Sequence, residues 1–360
     1  MGEYSRRTMR FNDGPSRSST VVFSVQARPR TVHGERSTTY ASTMHINESI
    51  VDAIGNTPLV RLSRIHRPGN LVAKVESTNP GGSIKDRIGL GMIERAEDNG
   101  WLKPGDTIVE PTSGNTGVGL AMAAAIKGYK LICVMQDKQS TEKQDLLRAY
   151  GAEVRLCPTD VEPEDPTSYY SVAKELSGRP NHYQPDQYTN PANPQAHVLG
   201  TGPEIWEQTG GEIDIFVAGV GTGGTISGNA RYLKERKPDL VVVGVDPEGS
   251  IYTAATEEDV TTYLIEGVGE DFWPSTYDPD LTDSYELVTD AEAFEMTRRL
   301  AVEEGILVGG SGGMAIVGAQ RVALQNPDKL TVVIIPDSGR SYLSKIFNDE
   351  WMTANGFDIE

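Results

Sequence analysis

Three short runs carry residues able to do chemistry. The first is Gly221-Thr222-Gly223-Gly224-Thr225, entered from the apolar stretch IDIFVAGV and left through ISGNARYLKER. Glycines lack Cβ atoms, so their backbone N–H groups can turn inward around an anion. A helix start adds positive partial charge, and Thr222 and Thr225 add hydroxyl donors. That is the chemistry of a phosphate cradle, although a plain strand–helix turn fits the same residues. No Lys-Ser/Thr pair follows, so this is not a Walker loop, and the spacing is not a dinucleotide fingerprint. The second run is Gly81-Gly82-Ser83-Ile84-Lys85-Asp86-Arg87, ahead of the helical pattern GLGMIERAE. Burial and a nearby helix start lower an amine's pKa, which favours Schiff-base formation at Lys85. Taken alone, Lys85 reads first as a solvated surface lysine, and Asp86 and Arg87 read as structural pairs around the turn. The third run is Thr112-Ser113-Gly114-Asn115-Thr116-Gly117. Its hydroxyls and N–H groups suit a carboxylate clamp, an N-cap cluster, or both.

Positioning these runs requires strands that end in loops. Seven apolar segments read as buried strands: 71–76, 106–111, 129–135, 152–157, 213–220, 240–247 and 330–337. Helical patterns such as GVGLAMAAAIKG, TEKQDLLRAYGA and EAFEMTRRLAVEEG separate many of them. Strands alternating with helices predict doubly wound parallel sheets, in which ligands bind at the carboxyl ends of strands. Three strand ends run into TSGNTG, GTGGTISG and SGG, which predicts one site assembled from distant parts of the chain. Residues 158–195, rich in Pro, Asp and Tyr, read as a domain junction.

Composition narrows the partners. The 360 residues have a formal net charge of -18, which disfavours nucleic acid and anionic membranes as partners and suits solubility. No apolar run is long enough to span a bilayer. Cys133 and Cys157 lie in apolar segments and read as reduced core residues, which points to a cytoplasmic location. The five histidines show no metal-ligand spacing with cysteine, so no metal is expected. Residues 1–43 are rich in Arg, Ser and Thr. They resemble a transit segment in composition but lack its amphipathic period, and they read as a disordered extension ahead of a candidate start at Met44. The charged helix TEKQDLLRAYG reads as a solvated face, and Phe272 and Trp273 read as core or as lining of a site entrance, with core favoured.

The ordered set STNPGGSIKDR, EPTSGNTG, GTGGT and GGSGG resembles the fold-type II, pyridoxal-phosphate (PLP) dependent family of cysteine synthases and cystathionine β-synthases. The resemblance runs from about Asn56 to Met352. Within the family, four stretches resemble the cystathionine β-synthase subgroup. They are Asp186-Gln187-Tyr188, the segment Val245 to Ser250, the loop Ile265 to Phe272 and the run PDSGRSYLSKIFNDEWM. Glu270 departs from the pattern, since a tyrosine is common there. The resemblance implies an α/β fold like the tryptophan synthase β-subunit, with two doubly wound parallel-sheet domains and the PLP cleft between them. Residues 44–190 would form the first domain, whose opening segment crosses to the other. Residues 191–352 would form the second and 353–360 a tail, with no regulatory domain pair.

The same resemblance assigns roles. Lys85 would hold PLP covalently and act as the catalytic base. Asn115 would bond the ring 3′-oxygen, Gly221, Thr222, Gly223, Gly224 and Thr225 would hold the 5′-phosphate, and Ser311 would face the pyridine nitrogen. Ser113, Thr116 and Gln187 would bind the amino-acid carboxylate, with Thr112 and Asn115 at the same site. The implied reaction is a β-replacement that condenses serine with homocysteine to cystathionine and water, in a homodimer. Ser311, being a neutral hydroxyl, would leave the ring a weaker electron sink than an aspartate would, favouring β-elimination. No cysteine occurs in the first 132 residues, so no haem is expected. The alternatives are a cysteine synthase using O-acetylserine or O-phosphoserine with sulfide, a silent binding subunit of the same fold, and more remotely a serine or threonine dehydratase.

Overall fold

The computed structural model describes residues 46–358 apart from 113, 138, 140 and 163. The extension expected over 1–43, including His33, lies outside the described residues, as do His45 and Ser113. Among the described residues, ten strands form two sheets. The larger has the order β1 (Leu59–Arg61), β2 (Leu71–Val75), β10 (Thr331–Ile335), β7 (Ile215–Gly219), β8 (Val241–Pro247), β9 (Ser284–Val288). The smaller has the order β5 (Glu153–Cys157), β4 (Lys130–Gln136), β3 (Thr107–Pro111), β6 (His182–Tyr183). Every pairing is parallel except β1 with β2. All seven expected strands are present. The short edge strands β1, β6 and β9 carry no long apolar run, so no strand signal marks them.

The helices follow as α1 (Lys85–Asp98), α2 (Asn115–Lys127), α3 (Thr141–Ala149), α4 (Tyr169–Ser177), α5 (Ala192–Ala196), α6 (Gly202–Gln208), α7 (Gly224–Lys234), α8 (Asp290–Arg299), α9 (Gly310–Gln325) and α10 (Asp349–Ala354). Local chemistry explains several boundaries. Thr289 caps α8 by accepting from the Glu292 N–H, while Glu292 reaches back to the cap, a complete capping box. The helix α2 stops at Gly128, whose φ of 80° suits only a residue without a Cβ. All five residues of β10 are buried, as a parallel strand covered on both faces requires. Each such Val or Ile contributes on the order of 1.5–3 kcal/mol of burial.

Two features of the fold bear on the site. The segment 59–75 joins the sheet otherwise built from residues 215–335, so β2 and β10 lie side by side. The helices α1 and α2 also touch backbone to backbone. A Cβ at Gly119 would lie 2.6 Å from the Lys85 carbonyl oxygen, and one at Gly89 would lie 2.6 Å from the Gly119 carbonyl carbon. Lys85 therefore starts its helix pressed against α2.

Both cysteines are buried and free. Phe272 and Trp273 are not core, contrary to expectation: they are 37% and 51% exposed. The chain turns outward after Gly269, where φ is 69°. Phe272 then packs edge-on to Tyr188, and Trp273 stacks on Tyr277. In α3, Arg148 pairs with Asp145 on a solvated face, whereas Lys143 reaches across to Glu266. Asp86 and Arg87 do not pair with each other. Asp86 accepts from the Gly81 N–H, and Arg87 grips Glu76 and Glu204.

Candidate active site

The carboxyl ends of β3, β7 and β10 open on one cavity of about 930 Å³. Its lining includes Lys85, Thr112, Asn115, Thr116, Gln187, Gly221, Thr222, Gly223, Thr225 and Ser311. Gly224 does not line the cavity but begins α7 immediately behind the loop.

The cradle at 221–225 is shaped by what surrounds it. A Cβ at Gly221 would lie 2.7 Å from the Gly267 carbonyl oxygen, one at Gly223 would overlap Tyr277, and one at Gly224 would overlap the Asn193 amide. Gly223 also sits at φ 76°, in the left-handed region. The loop is held from behind. The Tyr252 hydroxyl donates to the Gly221 carbonyl at 2.5 Å, the Thr276 hydroxyl to the Thr222 carbonyl at 2.6 Å, and the Asn193 amide to Thr222 Oγ1 at 3.0 Å. Thr225 Oγ1 lies 3.3 Å from His197 Nε2, and His197 Nδ1 lies 3.0 Å from Thr201 Oγ1. Burial first, then Arg87 and Lys85, push the His197 pKa well below its usual range, so this ring is neutral.

The three helices α2, α7 and α9 start at the cavity without a side-chain cap among the described residues. Their first N–H groups need acceptors and carry positive partial charge. Such an arrangement favours anionic ligand groups.

Lys85 is the first residue of α1, and its loop is strapped to the end of β10. The Ile84 N–H donates to the Pro336 carbonyl at 2.8 Å, and Ser83 bridges Asp337. Burial pushes the Lys85 amine below its usual pKa, while Glu270 and Asp337 oppose that shift. Two residues on, Arg87 forms a buried network. Its Nε donates to Glu76 Oε2 at 2.7 Å and its Nη1 to Glu204 Oε1 at 2.7 Å, while Lys74 Nζ donates to Glu204 Oε2 at 2.6 Å. Burial alone would raise the Glu204 pKa, yet Arg87 and Lys74 bring it down to about 2.

On the opposite wall the Thr116 hydroxyl donates to Gln187 Oε1 at 2.6 Å. The backbone at Gln187 is clamped by Glu110, which accepts from the N–H groups of Asp186 at 2.9 Å and Gln187 at 3.1 Å. The clamp holds Asp186 at φ 54°, an uncommon conformation for a non-glycine residue. Asn115 donates to Asp337 Oδ2 at 2.8 Å, and the Tyr342 hydroxyl donates to the same oxygen at 2.9 Å. Burial raises the Asp337 pKa against those bonds and one from the Gly309 N–H.

Sequence reasoning assigned no role to Asp337, Glu110, Asn193, His197 or the Glu76–Arg87–Glu204–Lys74 network. Glu110 opens the run EPTSGNTG and Asp337 stands in PDSGRSYLSKIFNDEWM, both at strand ends, which is the one local signal available. Asn193 and Glu204 reach the site only through folding.

A family model described as "Pyridoxal-phosphate dependent enzyme" matches residues 50–337, and the chain belongs to that family. Among curated proteins it is 49% identical over 318 residues to a cystathionine beta-synthase of Dictyostelium discoideum, covering 87% of this chain and 64% of that protein. It is 44% identical over 301 residues to a cysteine synthase of Staphylococcus aureus (strain N315), covering 82% of this chain and 96% of that one. Among solved structures, a hydrogen sulfide-producing enzyme from Fusobacterium nucleatum superposes with a TM-score of 0.78 at 39% identity. That match covers 84% of this chain and 99% of that one. The chain spans 64%, 59% and 56% of the length of three cystathionine beta-synthases that it matches, about three fifths.

The cavity fits PLP on its own terms. It offers an amine of lowered pKa, a glycine loop with no room for side chains, a helix start lacking a side-chain acceptor, and Ser311 in the first turn of α9. Asn115 keeps a second amide hydrogen for a ring oxygen, since only one is used on Asp337. No helix among the described residues is long and apolar enough to cross a membrane.

Proposed function

We propose that the protein catalyses PLP-dependent β-replacement, condensing L-serine with L-homocysteine to give cystathionine and water. One observation carries the reaction class: the Lys85 amine opens on the same cavity as the glycine cradle and the start of α2. In this reading Gly221 to Thr225 hold the phosphate, Asn115 and Ser311 orient the ring, and Thr112, Ser113, Thr116 and Gln187 hold the substrate carboxylate. When bound, the cofactor delocalises the electron pair left on Cα once its proton is removed.

Lys85 Nζ takes the Cα proton as general base. Burial keeps a share of this amine neutral, while Glu270 and Asp337 stabilise the ammonium once it has formed. Hydroxide leaves poorly, so the Lys85 ammonium gives its proton to the β-hydroxyl and water departs. As the thiol sulfur bonds to the β-carbon, its proton passes to the neutral Lys85 amine, which then delivers it to Cα. Gln187, fixed by Thr116 and by the Glu110 clamp, keeps the carboxylate still throughout. Ser311 presents a neutral hydroxyl, so the ring nitrogen gains no ionic partner there.

The choice of serine and homocysteine rests on the segments 186–188, 245–250, 265–272 and 336–352, which resemble cystathionine β-synthases. The second reading, cysteine synthase with O-acetylserine and sulfide, is favoured by the near full-length match to the Staphylococcus cysteine synthase. Retention of Lys85, Asn115, the cradle and Ser311 argues against a silent binding subunit. We read the protein as a cytoplasmic homodimer with one α/β domain on each side of the cleft, and sedimentation of the purified protein tests the dimer. Product analysis with serine or O-acetylserine against homocysteine or sulfide tests the chemistry. Cystathionine from serine and homocysteine is the expected major product; cysteine from O-acetylserine alone would transfer the assignment to the second reading.

A further inference from the structure

The cavity wall contains carboxylates of different standing. Glu266 is tied to Lys143 and Lys345, and Asp337 is held by Asn115 and Tyr342. Asp271 is exposed. Glu270 is half-buried, and its carboxylate has no hydrogen-bond or ion-pair partner among the described residues. Its backbone, by contrast, is fixed on both sides. The Glu270 N–H donates to Ser250 Oγ at 3.3 Å, and its carbonyl accepts from the Ile251 N–H at 2.9 Å. Just before it, Gly269 donates to the Val220 carbonyl at 2.7 Å. The loop therefore aims a carboxylate from a rigid mount.

The surroundings suit a cation. Tyr169, Tyr188 and Tyr263 line the same cavity, and each is close enough to feel the Glu270 charge, as is the buried Tyr252. A carboxylate among aromatic faces is the composition of an ammonium site. Among the described residues, the cation that acts on Glu270 is Lys85, which the reaction occupies. Two groups act on the carboxyl besides burial, Asp271 raising its pKa and Lys85 lowering it, and the result lies at about 7. An arriving ammonium would stabilise its ionised form.

We propose that Glu270 selects the second substrate, its carboxylate receiving the ammonium group of an amino-acid thiol and disfavouring an anionic thiol without one. This rests on the β-replacement reading and names the residue that would direct it toward homocysteine. The selectivity is electrostatic. Hydrosulfide and 4-mercaptobutanoate, which is homocysteine without its amino group, bring only negative charge toward Glu270.

The test uses the cofactor-loaded enzyme with serine as first substrate. KM is measured for homocysteine, 4-mercaptobutanoate and sulfide in the parent and in Glu270→Gln, a near-isosteric change. The parent should show a KM for homocysteine at least about tenfold below that for 4-mercaptobutanoate, one charge-assisted contact being about 1.5–3 kcal/mol. In Glu270→Gln that ratio should collapse to within about twofold, and the KM for sulfide should fall. Retained visible absorbance of the bound cofactor verifies that the variant is loaded. An undiminished ratio in an active Glu270→Gln enzyme overturns the role of Glu270 while leaving β-replacement intact. A parent that uses sulfide but refuses homocysteine overturns both this role and the serine–homocysteine reading.

Discussion

Replacing Arg87 by Met should destabilise the protein by about 3–5 kcal/mol, the usual cost of stranding a buried charge. The size follows from the network. Arg87 is 5% exposed at its side chain and Glu76 is 0% exposed. Arg87 makes four charged contacts of 2.7–2.9 Å, two to each of Glu76 and Glu204. With Lys74 present the four groups balance; without Arg87 one negative charge is buried unpaired. Lys74 binds Glu204 and does not hydrogen-bond Glu76, so the excess falls on Glu76. Urea unfolding followed by fluorescence measures this, with a midpoint shift of about 1 M or more at neutral pH. Adding Glu76→Gln should recover a large part of the loss. A deficit below about 1 kcal/mol, or one unrelieved by Glu76→Gln, would refute the network account.

Three further outcomes follow from the same geometry. Lys85→Ala should lose turnover and the visible absorbance of the bound cofactor, and an active, coloured variant would remove Lys85 from its role. Gly223→Ala places a Cβ against Tyr277 at a left-handed φ, which costs about 1–2 kcal/mol before any clash. Cofactor affinity by fluorescence titration should fall at least about tenfold, and a change under twofold in a folded variant would contradict the cradle. Burial pushes the Glu110 carboxyl up to about 8 and the Asp86 carboxyl up to about 7. Both native-state values lie above the usual carboxylate range, so the native state holds extra protons and loses their contribution as pH rises toward 8. The melting temperature should therefore decline from pH 5.5 to 8.5, with a shallower slope in Glu110→Gln; equal slopes would exclude Glu110 as a source.

The sequence by itself determined the strands that carry the site and the loops at their ends. Apolar runs of six to eight residues are local signals, and Gly, Ser and Thr clusters at a strand–helix junction reflect local needs for tight turns and open N–H groups. Those signals marked the 221–225 loop and the loop at 112–117, whereas Lys85, Asn115 and Ser311 were singled out by the resemblance of the ordered motifs; all of these regions line one cavity. Tertiary structure alone decided what holds them. Gly224 needs its missing Cβ because Asn193 stands against it, and Gly119 because the Lys85 carbonyl does. Arg87 read as part of a local pairing around its turn and instead spans to Glu76 and Glu204. Phe272 and Trp273 looked like core because aromatic residues bury well, yet the turn after Gly269 carries them outward. The standing of Glu270 was equally invisible, since a carboxylate's partners, burial and charge are set by residues far away in the chain. Periodicity and turn chemistry act over a few residues, whereas close approach, desolvation and ion pairing exist only after distant segments have packed.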